Sequence, residues 1–215
     1  MKVFVIHYKK LTERKAHMLE QFRQYNITDY EFVEIDRSEV DHLNTSYFDR
    51  SQLDNAQIAI WLSHYHCYKE IAEKYKNALI LEDDAILSDD FVNRFNAYTT
   101  QLPYNYDMLF IGDGCNFHIS KHLIIPGKYI YEKGLYPEHG GSDGISRCTD
   151  SYLVSNSCAI QIVQYMENLN VKIYRAVDWW INIIAREYKF KAYWMEPTIV
   201  TQGTQSGVYN TSHHY

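Results

Sequence analysis

Short apolar runs alternate along this chain with stretches of helical periodicity, and that alternation predicts its architecture. Val3-Phe4-Val5-Ile6 reads as a buried strand, after which Met18, Leu19, Phe22 and Tyr25 recur at helical spacing. Phe32 to Asp36 reads as a second strand. From about Asn55 to Tyr75, the residues Ile58, Trp61, Leu62, Tyr65, Tyr68, Ala72 and Tyr75 keep a three-and-four rhythm, which predicts a long helix. It leads into a third apolar run, Ala78-Leu79-Ile80-Leu81, and Asp107 to Gly112 gives a fourth strand stopped by glycine and acid.

Between Gly112 and Asp150 only Lys128 to Tyr131 looks extended, and loops of this length are commonly functional. Tyr152-Leu153-Val154 then reads as a strand. Ser155-Asn156-Ser157 offers cap oxygens for a helix carrying Ala159, Ile160, Val163, Met166 and Leu169. A further helix beginning at Asp178 carries Trp180, Ile183, Ile184 and Tyr188, and Ala192 to Met195 precedes Pro197 as a late strand. The order predicts one α/β domain over residues 1–215, a largely parallel, Rossmann-like sheet with helices on both faces and ligands gathered at its carboxyl edge.

The third run empties into Glu82-Asp83-Asp84. On an extended backbone Glu82 and Asp84 share a face and Asp83 points away, an arrangement that suits a hard cation beside a phosphorylated ligand. A solvated loop or the first turn of a helix would also favour such acids.

A formal charge of −6, with ten His counted neutral, argues against a nucleic-acid partner, which would require clustered Lys and Arg. Cys67, Cys115, Cys148 and Cys158 have no C-x-x-C spacing and read as free thiols. No apolar run reaches the roughly 18 residues of a membrane span, so a soluble chain, cytoplasmic by default, is expected. Twenty Tyr and four Trp serve cores and sugar-binding surfaces alike.

Several segments together resemble glycosyltransferase family 25, the group of lipooligosaccharide and collagen hydroxylysine galactosyltransferases. Val3 to Tyr8 followed by Arg14 is similar to the family's first strand and its Arg, with His7-Tyr8 where the family prefers Asn-Leu. Leu62-Ser63-His64 is similar to its Ser-His element and Leu79 to Asp84 to its acidic motif. Thr149 to Ser155 is similar to a segment ending Ala-Tyr-Leu-Ile-Ser, with Asp150 and Ser151 in place of small residues, and Ala176-Val177-Asp178 to a Pro-Val-Asp element.

The resemblance implies a GT-A type fold, a UDP-hexose donor (galactose before glucose), manganese or magnesium, and inverting transfer to a saccharide or a collagen-like hydroxylysine. Asp84 is then the first metal ligand, with Glu82 reaching the ion through water or holding ribose hydroxyls, and Asp83 a structural or donor-side acid. His213 and His214 are further candidate ligands. Asp178 is the candidate general base, or a helix N-cap ahead of Trp179-Trp180. Arg14 could pair with the diphosphate, His64 and Ser63 could touch the donor or be buried, and Asp36 could hold the uridine or close a turn. Residues 134–144, with Tyr136, His139 and Asp143, are expected to form an acceptor lid. A nucleotide-sugar-binding protein without turnover and a metal-binding α/β regulatory domain are the rival readings. Oligomeric state is left open.

Overall fold

The computed structural model describes residues 1–135 and 144–210. Its elements follow one another as β1 (Lys2–Ile6), α1 (Thr12–Gln24), β2 (Tyr30–Val33), α2 (Asn55–Lys74), β3 (Asn77–Glu82), β4 (Ala85–Leu87) and α3 (Phe91–Thr99). They continue as β5 (Met108–Phe110), β6 (Ile130–Lys133), β7 (Ser151–Ser155), α4 (Asn156–Glu167), α5 (Val177–Tyr188), β8 (Ala192–Met195) and β9 (Val200–Gln202).

Seven strands form one sheet in the order β2-β1-β3-β7-β5-β8-β6. β1, β2, β3, β5 and β8 run together while β7 and β6 run against them. Because β7 is antiparallel, its beginning lies at the same edge as the ends of β3 and β5. That edge therefore collects Glu82, the residues after Phe110 and the residues before Ser151.

Side-chain alternation along the strands divides the core in two. Phe4, Ile80, Phe110 and Tyr152 face α2, α4 and α5, whereas Val5, Leu79, Leu109 and Leu153 face α1 and α3. α2 starts with a reciprocal capping box, Gln57 N–H donating to Asp54 Oδ1 at 2.8 Å and Asp54 N–H to Gln57 Oε1 at 3.0 Å, a device worth about 1 kcal/mol. Its buried stripe of Ile58, Trp61, His64, Tyr68 and Ile71 packs on the sheet. Ser155 caps α4 through Cys158 N–H.

The second strand is shorter than its apolar pattern: it stops at Val33, the partner of Ile6, where β1 itself ends and nothing remains to pair with. Asp36 lies beyond the sheet and closes a turn. β4 and β9, three residues each, form a separate antiparallel ribbon next to the acidic turn. Among the described residues no helix is long and apolar enough to cross a membrane.

Candidate active site

Glu82 is the last residue of β3, and Asp83-Asp84 form the turn into β4. The three carboxylates diverge. Asp83 turns toward the end of β1: Oδ2 lies 2.8 Å from His7 Nδ1 and accepts from Tyr8 N–H at 3.1 Å, while Oδ1 accepts from Arg14 Nη1 at 2.8 Å. Asp84 turns toward the segment after β9, where Thr204 donates both its N–H, at 3.2 Å, and its hydroxyl to Oδ2. Asp84 Oδ1 is buried with no hydrogen-bond partner among the described residues. Burial first and the Glu82 charge second push the Asp84 carboxyl up to about 6, against the Thr204 bond and Arg14.

Glu82 points toward α2. Its Oε1 accepts from Thr149 Oγ1 at 2.9 Å and lies 3.6 Å from His64 Nε2. His64 Nδ1 is 2.7 Å from Tyr152 Oη, which is 2.6 Å from Tyr68 Oη. All three side chains are fully buried. If Tyr68 donates to Tyr152 and Tyr152 to His64 Nδ1, both hydroxyl protons are used and the imidazole proton sits on Nε2, which faces Glu82 beyond hydrogen-bond distance. The opposite direction would strand the Tyr68 proton.

Arg14, Arg37, Glu82, Asp84, Gln202 and Thr204 line a cleft of about 140 Å³. Both outer nitrogens of Arg14 are engaged, Nη2 donating to the Asn210 carbonyl at 2.6 Å, and its guanidinium lies 5.1 Å from the Tyr209 ring. The polar segment after β9 thus folds back over the acidic turn, helped by Gly203 N–H donating to Asp84 O at 2.8 Å.

Asp178 stands in the first turn of α5, whose N-cap is Ala176, so it is not the cap itself. Burial, then the Glu82 charge, raises its carboxyl, against the Trp179 N–H and His64. It lines a cavity of about 150 Å³ with Phe117, Ser146, Cys148, Trp179 and Asn182.

Other predicted residues are turned inward. Ser63 donates to Ala59 O at 2.8 Å within α2, and Asp36 Oδ1 accepts from Ser38 N–H at 2.8 Å and Ser38 Oγ at 2.7 Å. Those Ser38 bonds hold the Asp36 carboxyl below the usual range. Asp36 is buried, not an exposed turn residue. His213, His214 and residues 136–143 of the expected lid lie outside the described residues. Among the described residues no three His, Cys, Asp or Glu side chains are grouped to hold a metal ion.

Two features escaped the sequence. Asp150 is fully buried, and burial first, with Glu82, Asp84 and Asp113 adding to it, raises its carboxyl well above the usual range. Arg147 is also buried, donating to Gly112 O, Met195 O and Glu196 Oε2 and stacking 4.1 Å from the Trp194 ring. Asp150 was legible only as an acid where related sequences carry small residues, and Arg147 left no signal in the pattern.

A sequence model of glycosyltransferase family 25 (LPS biosynthesis protein) matches residues 1–180. A protein of Acanthamoeba polyphaga mimivirus, described as procollagen lysyl hydroxylase and glycosyltransferase, is 22% identical over an alignment 197 residues long that covers 78% of this chain and 20% of that protein. The chain therefore spans about one fifth of that relative's length. The Drosophila β1,4-galactosyltransferase 7 mutant crystallised with manganese, UDP-Gal and xylobiose aligns over 95% of this chain and 68% of its own, at 10% identity and TM-score 0.43. Mouse xyloside xylosyltransferase 1 aligns over 89% of this chain and 63% of its own, at 12% identity and TM-score 0.36. These distant structural likenesses carry no weight beside the match over residues 1–180, by which the chain belongs to glycosyltransferase family 25.

Proposed function

We propose that this glycosyltransferase moves a hexose, galactose before glucose, from a UDP-sugar to a saccharide or collagen-like hydroxylysine hydroxyl, with inversion and with manganese or magnesium bound. The reading rests above all on Asp84: a buried carboxylate with one oxygen that has no partner among the described residues suits a divalent cation, and Arg14 and Arg37 on the same cleft suit the diphosphate. Such a cation, when bound, would neutralise the charge that develops on the leaving diphosphate. Asp84 would hold it, and Glu82, oriented by Thr149 and His64, would reach it through water or bind the ribose. His213 and His214, outside the described residues, remain proposed ligands.

Arg14 and Asp83 position the turn, and Ser63 and Asp36 shape the wall beside it. Asp178 takes the acceptor hydroxyl's proton. A carboxylate raised by burial is a better base than an exposed one, and such a group contributes about 10²–10⁴ in rate. The mimiviral relative's description and the family's link to LPS agree with this reading, and the two favour different acceptors.

The test is UDP release from a panel of UDP-sugars, with manganese and with chelator, for the native chain and Asp84→Ala. Metal-dependent release for one sugar, absent in the variant, is expected. Absence of turnover with any UDP-sugar and metal would make Glu82-Asp83-Asp84 a structural or regulatory feature.

A further inference from the structure

The helix that carries Asp178 has a stripe, Trp179, Asn182, Ile183 and Arg186, at the one, four, five, eight spacing of a single helical face, in which Asn182 alone is buried. With Tyr174 and Arg175 this stripe lines a cavity of about 300 Å³. Trp179 and Asn182 also line the cavity that holds Asp178, so the two spaces share a wall.

The cavity is built from fixed parts. Asn182 Oδ1 accepts from Ile145 N–H at 2.9 Å and Ser146 N–H at 3.0 Å, and its amide donates to Asp178 O at 3.1 Å. Gly144, with φ of 65°, fits against it because a Cβ there would stand 2.6 Å from Asn182 Oδ1. Tyr174 meets the buried Trp180 edge-on at 5.3 Å and 87°. The Arg175 guanidinium stands 5.6 Å from the Tyr174 ring and 5.8 Å from the Trp179 ring. Both rings are nonetheless open, Tyr174 at 47% and Trp179 at 48% exposure.

Open aromatic faces accept the apolar face of a sugar, and two guanidiniums match a carboxylate or phosphate. No acid is among the cavity's lining residues that are described. We infer that this cavity is the acceptor subsite and that it selects a saccharide bearing an anionic substituent, carboxylate or phosphate, next to the hydroxyl delivered to Asp178. The inference rests on the role of Asp178 proposed above and decides between its two acceptor classes. A hydroxylysine presents an ammonium next to its hydroxyl, which Arg175 and Arg186 would repel.

The test is binding in the absence of donor, followed by tryptophan fluorescence. The probes are a glucuronate-bearing disaccharide, a phosphate-bearing disaccharide, their neutral counterpart and a hydroxylysine peptide. The native chain should bind one or both anionic probes at least about tenfold more tightly than the neutral one, the scale of one charge-assisted hydrogen bond. The two anionic arms tell carboxylate from phosphate. Arg175→Gln with Arg186→Gln should remove most of that preference, and Trp179→Ala should weaken charged and neutral sugars alike. Equal binding of charged and neutral sugars, preference for the peptide, or a preference that survives the double variant would overturn the inference. So would loss of UDP binding in the double variant, which would assign the cavity to the donor. Because no donor is present, failure of UDP-sugar turnover leaves this result standing and strikes only the proposed donor.

Discussion

Arg14 and Asp83 close a buried ion pair, Nη1 to Oδ1 at 2.8 Å, one residue away from a carboxylate that has an oxygen with no partner among the described residues. Neighbouring acids of one turn are therefore satisfied to different degrees. Asp83→Ala would leave the Arg14 charge buried, and losing one member of such a pair costs about 3–5 kcal/mol. Asp84→Ala removes a carboxylate that burial disfavours but also strands the two Thr204 donors, so it should destabilise less than Asp83→Ala while abolishing turnover. Urea unfolding of both variants, beside UDP release, checks this; equal destabilisation would mean that Asp84 is as well satisfied as Asp83.

Gly112 lies directly beneath Asp150. A Cβ on Gly112 would stand 2.0 Å from Asp150 Oδ2 and 2.2 Å from Ser151 Oγ, distances no side chain tolerates. Gly112→Ala should destabilise by about 1–3 kcal/mol, the usual cost of overpacking. The same change on an Asp150→Gly, Ser151→Ala background should cost much less, because the colliding atoms are gone. Additive effects in this cycle would place the clash elsewhere.

This pair shows where sequence reading stopped. The long helix α2 and the strand ending at Glu82 were legible because twenty residues of steady periodicity and an unbroken apolar run leave few alternatives. An apolar run does not reveal its direction, and only the antiparallel placement of β7 between β3 and β5 brings Asp150 onto Gly112. β4 and β9 are too short to show a period, so the contact of Thr204 with Asp84, 120 positions apart, had no local sign. For His64 the helical spacing left burial and donor contact open, and its partner Tyr152 comes from a distant strand, β7.

Tyr152 joins two buried polar groups, His64 Nδ1 at 2.7 Å and Tyr68 Oη at 2.6 Å. Tyr152→Phe should strand both, at about 1–3 kcal/mol for each unsatisfied group. It should also release the tautomer that aims Nε2–H at Glu82. Nitrogen NMR of the labelled imidazole is expected to show the proton on Nε2 in the native chain and a mixture in the variant. A native Nδ1–H signal would reverse the direction of the relay.

Asp178 links stability to pH in a way that bears on its proposed role as base. Burial first, and the Glu82 charge after it, raise its carboxyl above the unfolded value, so the folded state holds its proton to higher pH than the unfolded chain does. The stability this proton provides is complete below the unfolded pKa and is lost as pH rises through the folded one. Asp178→Asn carries no such loss, so its stability relative to the native chain should grow from acidic to neutral pH. Transfer needs the deprotonated form, and the acid limb of the native kcat/KM profile should therefore lie above the ordinary carboxylate range. The Asn variant should retain UDP binding while transfer falls by about 10²–10⁴. Thermal unfolding across pH, UDP titration and the rate profile separate the cases: a variant that loses UDP binding, or an unchanged rate, would leave Asp178 as a helix-terminus residue without a proton to move.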